Sequence, residues 1–290
     1  MKIRMNALWG AWLVVVLLAA PAASAADEEA VRYYVSLGTS LAAGVQPDAQ
    51  GINQVTDDSY ADQLFGMIQD DYSKLKLVKL GCPGETTVTM MDGGLCEYPK
   101  KSQLAEAVSF LHAHKDKVEL VSIDIGVNDI LAQGCIVGTN VDFACINDAL
   151  VRISENLPVI LGELRAAAHP DTQFAGMNYY NSFLAFWLQG PEGQVLAHQS
   201  AALAEYLNYG VLGPIYGLYG MPVADVAAAF NSSRFDISVP FPPPYYSAPL
   251  NVATICQLTY MCVPAPIGPN IHANPTGYAV IAAAFDDVIP

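Results

Sequence analysis

The sequence predicts an α/β fold, in which a parallel sheet is covered by helices on both faces. Three observations predict it. Short apolar, β-rich runs alternate with longer helical patterns along the chain. Glycine with small or polar residues follows the ends of these runs, as in Gly38-Thr39-Ser40 and Gly126-Val127-Asn128. Some 265 residues follow the first 25, about enough for one α/β domain with a substantial core.

The elements fall in order. Residues 1–25 read as a secretory signal peptide. Lys2 and Arg4 give a positive start, an apolar run extends from Ala7 to Ala20, and Pro21-Ala22-Ala23-Ser24-Ala25 holds a small-residue cleavage pattern. The apolar run is short for a membrane span of ~20 residues. Cleavage would leave residues 26–290 as a single domain, secreted or periplasmic. Strands are expected at Arg32–Leu37, Leu75–Leu80, Val118–Ile125, Gln173–Tyr179 and Pro222–Val226. Helices are expected at Tyr60–Gln69, Gln103–His114, Cys145–Ala168 and Gly193–Tyr216. A last helix starts at Asn274-Pro275, where Asn caps and Pro suits the first turn. Phe230 to Pro269 lacks helical periodicity and reads as a long ordered loop.

Charge and cysteines narrow the class. The formal net charge is −15, and loss of Lys2 and Arg4 with the leader makes it −17. Such a chain repels nucleic acid and anionic lipid. No later segment is apolar enough for stable membrane insertion, and a monomer is expected. Six cysteines form three local pairs, Cys82 with Cys96, Cys135 with Cys145, and Cys256 with Cys262. Six cysteines allow 15 connectivities. The sequential pairing is favoured, with export keeping the bridges closed. A zinc site is disfavoured, because the spacings are wide and no histidine lies near a pair.

Ligands bind beyond the carboxyl ends of strands in such sheets. Four strand-end or loop segments carry the groups that acyl chemistry needs. Ser40 sits on a strand-to-helix turn, where its hydroxyl is exposed and free N–H groups await an oxyanion; a plain helix cap is the simpler role for such a serine. Gly84, in Cys82-Pro83-Gly84-Glu85, lets backbone approach a ligand, or merely closes a turn. Asn128 offers a neutral amide donor, or closes an Asx turn. Of five histidines, His112 and His114 read as solvated, His169 lies in a loop and His198 in a polar helical turn. His272 alone sits in a loop before a helix, where an imidazole can take a serine proton.

Their order is specific. YYVSLGTSLAAG, CPGETT, IDIGVND and IHANPTGYAVIA resemble four conserved blocks of the SGNH hydrolases, also called GDSL esterases and lipases. The resemblance runs from Val31 to Phe285. It implies a three-layer, flavodoxin-like α/β/α sandwich with a five-stranded parallel sheet, and ester hydrolysis. It implies Ser40 as nucleophile and His272 as base. It implies an oxyanion hole from the N–H groups of Ser40 and Gly84 and the side chain of Asn128. The spaced cysteines resemble those of secreted bacterial members.

Two departures stand out. Thr39 replaces the aspartate usual before the serine, which is expected to loosen the turn. The aspartate usual just before the histidine is also missing; Pro269 and Asn270 stand there. Exchanging the acid of a serine-protease triad for its amide lowers turnover by ~10⁴. Either the Pro269 carbonyl or the Asn270 side chain is expected to orient His272, leaving a Ser–His dyad. The alternatives are a weak or inactive binding protein, or a carbohydrate O-deacetylase. Tyr179 and Tyr180 after the fourth strand, with Tyr245 in the long loop, are expected to line a groove for a small-molecule or lipid ester, although aromatics more often pack a core. No phosphate loop, dinucleotide fingerprint or HExxH motif is present, so no cofactor and no metal are expected.

Overall fold

Five strands form the central sheet: β1 (Arg32–Gly38), β2 (Leu75–Lys79), β3 (Val118–Asp124), β4 (Gln173–Met177) and β5 (Val223–Ala224). All pair in parallel, in the order β2-β1-β3-β4-β5. This is the flavodoxin-like order. The structure, a computed structural model, describes residues 30–72 and 74–289, so the leader expected at 1–25 lies outside the described residues. β1 and β3 are buried almost throughout, because helices cover both faces of the sheet.

Between the strands run α1 (Ser40–Ala43), α2 (Tyr60–Ile68), α3 (Thr87–Asp92), α4 (Gln103–Ala113), α5 (Val127–Leu131), α6 (Phe143–Ala167), α7 (Pro191–Glu205), α8 (Gly213–Leu218) and α9 (Val226–Ala229). Then come α10 (Leu250–Leu258) and α11 (Pro275–Asp286). Helix α2 packs on α11, while α3, α4 and α5 pack on α6. These two groups and the sheet make the three layers. Four two-stranded ribbons decorate the edges, among them Val45–Pro47 with Asn53–Val55, and Thr259–Tyr260 with Asn270–Ala273.

Two expectations are corrected. The helix expected over 193–216 is divided into α7, a π-helical stretch at Tyr206–Leu212, and α8. Pro214 has no N–H to give to the preceding turn, and Asn208 spends its side chain on both backbone groups of Tyr179. The segment 230–269 is not a plain loop, since it contains α10. That helix buries Val252, Ile255 and Leu258 together with Asn251 and Thr254. Burial on several sides removes the amphipathic stripe by which a surface helix is recognised. The three disulfides pair sequentially, Cys82–Cys96, Cys135–Cys145 and Cys256–Cys262.

One polar contact in the core positions the site. Asp124 ends β3, is fully buried, and lies in register with Gly38 at the end of β1. Its carboxylate accepts from the Thr39 N–H and hydroxyl and, at 3.0 Å, from the Tyr60 hydroxyl. Thr39 Oγ1 in turn accepts from the Leu41 N–H and caps α1. So Thr39 does not loosen the turn; it binds the turn to a carboxylate on the neighbouring strand. Gly38 is required here, because a Cβ would lie 2.3 Å from Asp124 Oδ1, and its φ of +131° strains any other residue.

Burial pushes the Asp124 carboxyl up to about 7, against the pull of its donors. The folded state therefore holds this proton more tightly than the unfolded chain, whose value is 3.8. The resulting stability is full below pH 3.8 and is lost as pH rises through about 7. Urea unfolding of the parent and Asp124→Asn across this range checks it. The parent is expected to lose roughly 2–4 kcal/mol relative to the variant between pH 4 and 8.

Candidate active site

Ser40 is the first residue of α1. The cap uses the Leu41 N–H, and the Ala43 N–H closes on the Thr39 carbonyl. Among the described residues the Ser40 N–H has no protein partner, as expected in the first turn of a helix. Its side chain is half-buried at the sheet's carboxyl edge.

The loop after β2 brings Gly84 alongside. Gly84 has a φ of +84°, which a side chain would strain. The loop is anchored on both sides. The Cys82 N–H donates to the Gly38 carbonyl at 3.0 Å, and Cys82 is bridged to Cys96. The buried Gln103 ties the same region together. It accepts from the Gly38 N–H at 2.6 Å and donates to the Gly38 carbonyl and, at 2.8 Å, to the Glu85 carboxylate. Burial pushes the Glu85 carboxyl up.

Asn128 enters on α5, after β3. Its Nδ2 gives one hydrogen to the Glu85 carbonyl at 3.0 Å, which leaves the second for a ligand. Asp129 is buried and accepts from the Thr87 N–H (2.9 Å) and hydroxyl (2.7 Å). The Gly84 loop and the Asn128 turn are thus cross-linked twice. Donors held in this way are set before a substrate arrives.

His272 lies on the strand Asn270–Ala273 and is mostly buried. Asn270 and His272 share one face of that strand, because side chains alternate. Asn270 Oδ1 accepts from the His272 backbone N–H at 3.0 Å and lies 2.7 Å from ring Nδ1. The backbone group can only donate, so the amide atom facing it is the oxygen. The same oxygen makes Nδ1 the protonated nitrogen and leaves Nε2 with its lone pair. Asn53, on the ribbon beside it, accepts from Asn270 Nδ2 at 2.7 Å and holds the amide in this sense. Burial lowers the imidazole to about 4, with no carboxylate beside it to oppose the shift. Tyr180 braces the strand, donating to the Ile271 carbonyl at 2.8 Å.

Four residues expected from the sequence come together. Ser40, Gly84, Asn128 and His272 line one cavity of about 380 Å³, along with Asn53, Val55 and Pro83. A second, smaller cavity shares Ser40, Asn128 and His272 with the first and is lined also by Tyr179, Tyr180, Val127 and Leu131. The Tyr179 side chain is buried, and its hydroxyl has no partner among the described residues.

Other expectations are corrected. The Nδ1 partner is Asn270 and not the Pro269 carbonyl, because the strand period places residue 270 on the imidazole's face. Tyr245 lines neither cavity at Ser40; on the tip of its ribbon it donates to the Leu188 carbonyl. His114 is not solvated but half-buried, packed on Tyr33 and Phe110. Sequence reasoning missed Asn53, which lies 217 positions from its partner and carries no local signal. It also missed the roles of Asp124 and Gln103, both read only as parts of regular elements. Among the described residues no cluster of His, Cys, Asp or Glu is placed to hold a metal.

The solved structures to which the chain is similar are distant in sequence. The extracellular lipase from Streptomyces rimosus is 18% identical, with a TM-score of 0.57 over 89% of this chain and 100% of that one. Phospholipase A1 from Streptomyces albidoflavus is 19% identical over 70% of this chain and 82% of that one, with a TM-score of 0.46. The Mycobacterium smegmatis aryl esterase is 13% identical over 89% of this chain and 97% of that one, also at 0.46. No curated protein matches the chain. A family model does, the GDSL-like lipase/acylhydrolase, over residues 34–285. That span holds all four residues of the shared cavity, and the chain belongs to the GDSL-like lipase/acylhydrolase family.

Proposed function

We propose that the chain is an exported serine esterase, hydrolysing carboxylic esters through a Ser40–His272 dyad whose imidazole is oriented by Asn270. The observation that carries this reading is the single cavity lined by Ser40, Gly84, Asn128 and His272. Three disulfides, and a leader of signal-peptide pattern at 1–25, support export, with 26–290 as the mature domain. Among the described residues no helix is long and apolar enough to cross a membrane.

The chemistry follows from the donors and the lone pair. Nε2 of His272 takes the Ser40 hydroxyl proton as Oγ attacks the ester carbonyl carbon. The carbonyl oxygen becomes an oxyanion, held by the N–H groups of Ser40 and Gly84 and by the free hydrogen on Asn128 Nδ2. The intermediate collapses, and the alcohol departs with the proton from Nε2. Water, deprotonated by Nε2, then attacks the acyl-Ser40 carbonyl; as the Oγ–acyl bond breaks, Ser40 Oγ takes the proton back from Nε2 and the acid is released. Throughout, Asn270 Oδ1 keeps the proton on Nδ1. The harm that amides do in serine-protease triads comes chiefly from the wrong tautomer. With its oxygen turned to the ring, Asn270 avoids that error and forgoes only a carboxylate's stabilisation of imidazolium.

Hydrolysis of p-nitrophenyl esters from acetate to palmitate tests the assignment. Ser40→Ala is expected to lower kcat/KM by at least ~10³-fold. Asn128→Ala is expected to lower kcat by ~10²–10³-fold. A folded parent that hydrolyses none of the series, or a Ser40→Ala variant as active as the parent, contradicts the reading and favours a binding role.

The pH profile tests the base. Nε2 must be unprotonated, so activity falls as pH drops through the imidazole pKa. For the parent that acid limb is expected near pH 4. In Asn270→Asp the new carboxylate favours imidazolium, so the limb moves to higher pH. On the plateau kcat/KM should rise roughly tenfold, the worth of about 1.4 kcal/mol. An acid limb that does not move in Asn270→Asp removes residue 270 from the mechanism.

A further inference from the structure

We propose that Glu85 serves as a neutral carboxylic acid behind the oxyanion donors, and that its ionisation slows the enzyme as pH rises. This rests on the esterase reading above and adds a pH control to the same site. Gly84, whose N–H is one donor, immediately precedes Glu85. The Glu85 carbonyl accepts from Asn128 Nδ2, the side-chain donor, at 3.0 Å. Gln103 donates to the Glu85 carboxyl at 2.8 Å and accepts from the N–H of Gly38, two residues before Ser40. Each of the three donors is therefore tied to the residue that carries this carboxyl.

The surroundings do not support a charge. Glu85 is 1% exposed. Its Oε2 accepts from Gln103, while Oε1 is buried with no partner among the described residues. The groups that face it are Gln103 from α4, Thr89 from α3 and the Tyr98 hydroxyl, all uncharged at neutral pH. Burial pushes Tyr98 up to about 12. Lys100 and Lys101, in the same loop as Tyr98, are exposed, and among the described residues no Lys, Arg or His forms an ion pair with Glu85. The other acids around it add no compensating charge. Asp129 on α5 is engaged with Thr87, and Asp124 with Thr39 and Tyr60. A carboxylate with one oxygen bare and no cation nearby is far costlier to bury than the acid. Burial accordingly raises the Glu85 carboxyl above its ordinary 4.5.

The neutral form is also the one the chemistry needs. The bound ester is uncharged, whereas the tetrahedral intermediate places a negative charge among the three donors. An ionised Glu85 behind them is little screened. It opposes the transition state more than the bound substrate, and so lowers kcat while leaving KM in place. His272 sets the opposite limit, since its imidazole protonates near pH 4. Activity then lies between an acid limb set by His272 and a basic limb set by Glu85.

Glu85→Gln keeps the shape of the side chain and cannot ionise. The readouts are kcat and KM for p-nitrophenyl acetate from pH 5 to 9 in parent and variant, with folding followed by circular dichroism. In the folded parent kcat is expected to fall by ~10-fold or more from its maximum as pH rises, at constant KM. In Glu85→Gln the fall over the same range is expected to be about threefold or less. A second measurement needs no variant: ¹³C NMR of the parent's Glu85 carboxyl, assigned through its own backbone, is expected to show it titrating above 4.5. The inference is overturned if the variant keeps the parent's basic limb, or if this carboxyl titrates at or below 4.5. A carboxyl that titrates high in a folded parent that hydrolyses no ester would support the neutral acid and overturn the esterase reading, so the two fail separately.

Discussion

A buried carboxylate at the end of the central strand sets the geometry on which the site depends. Asp124 accepts from both the backbone and the hydroxyl of Thr39, and Thr39 caps the helix that begins with Ser40. The turn that carries Ser40 is therefore joined to the neighbouring strand as well as to its own. Burying a carboxyl is costly unless its oxygens find donors. Here three donors converge on it, the third from Tyr60 on α2. The acid usual before the nucleophile in the SGNH blocks is absent from position 39, and a carboxylate still serves this turn, from the next strand.

The side of the cavity formed by Gly84 and Asn128 is organised in the same manner. The Asn128 amide is oriented by the Glu85 carbonyl, and Asp129 clamps the start of α3. Gln103 joins Gly38 to Glu85 beneath them. Four of these six contacts are side chain to backbone, and together they hold three separate loops in one register. The histidine side is lighter. Asn53 and Asn270 form a neutral chain to Nδ1, and burial keeps the imidazole uncharged. Such an imidazole stays unprotonated in mild acid, and its protonated form has no carboxylate to stabilise it.

Much of this was legible in the sequence. The β-rich runs predicted all five strands to within a few residues, because a parallel sheet buries both faces and its strands are nearly continuously apolar. Ser40, Gly84, Asn128 and His272 were legible because short blocks at strand ends carry them. Helix α10 was not, since burial erases its periodicity. The π-helical stretch depends on Asn208 reaching Tyr179 across the fold. The Asn53–Asn270 contact joins residues 217 positions apart, and no local pattern announces it. Choosing between Pro269 and Asn270 likewise required the strand that places Asn270 and His272 on one face.

The central claim is that a neutral His272, with its proton on Nδ1, serves as the base without a carboxylate partner. The most direct measurement is two-dimensional ¹H–¹⁵N NMR of the histidine ring nitrogens between pH 5 and 7. The account predicts a His272 ring that stays neutral across this range, protonated at Nδ1 and bare at Nε2. A ring that titrates near the ordinary value of ~6.5, or one that carries its proton on Nε2, would contradict it.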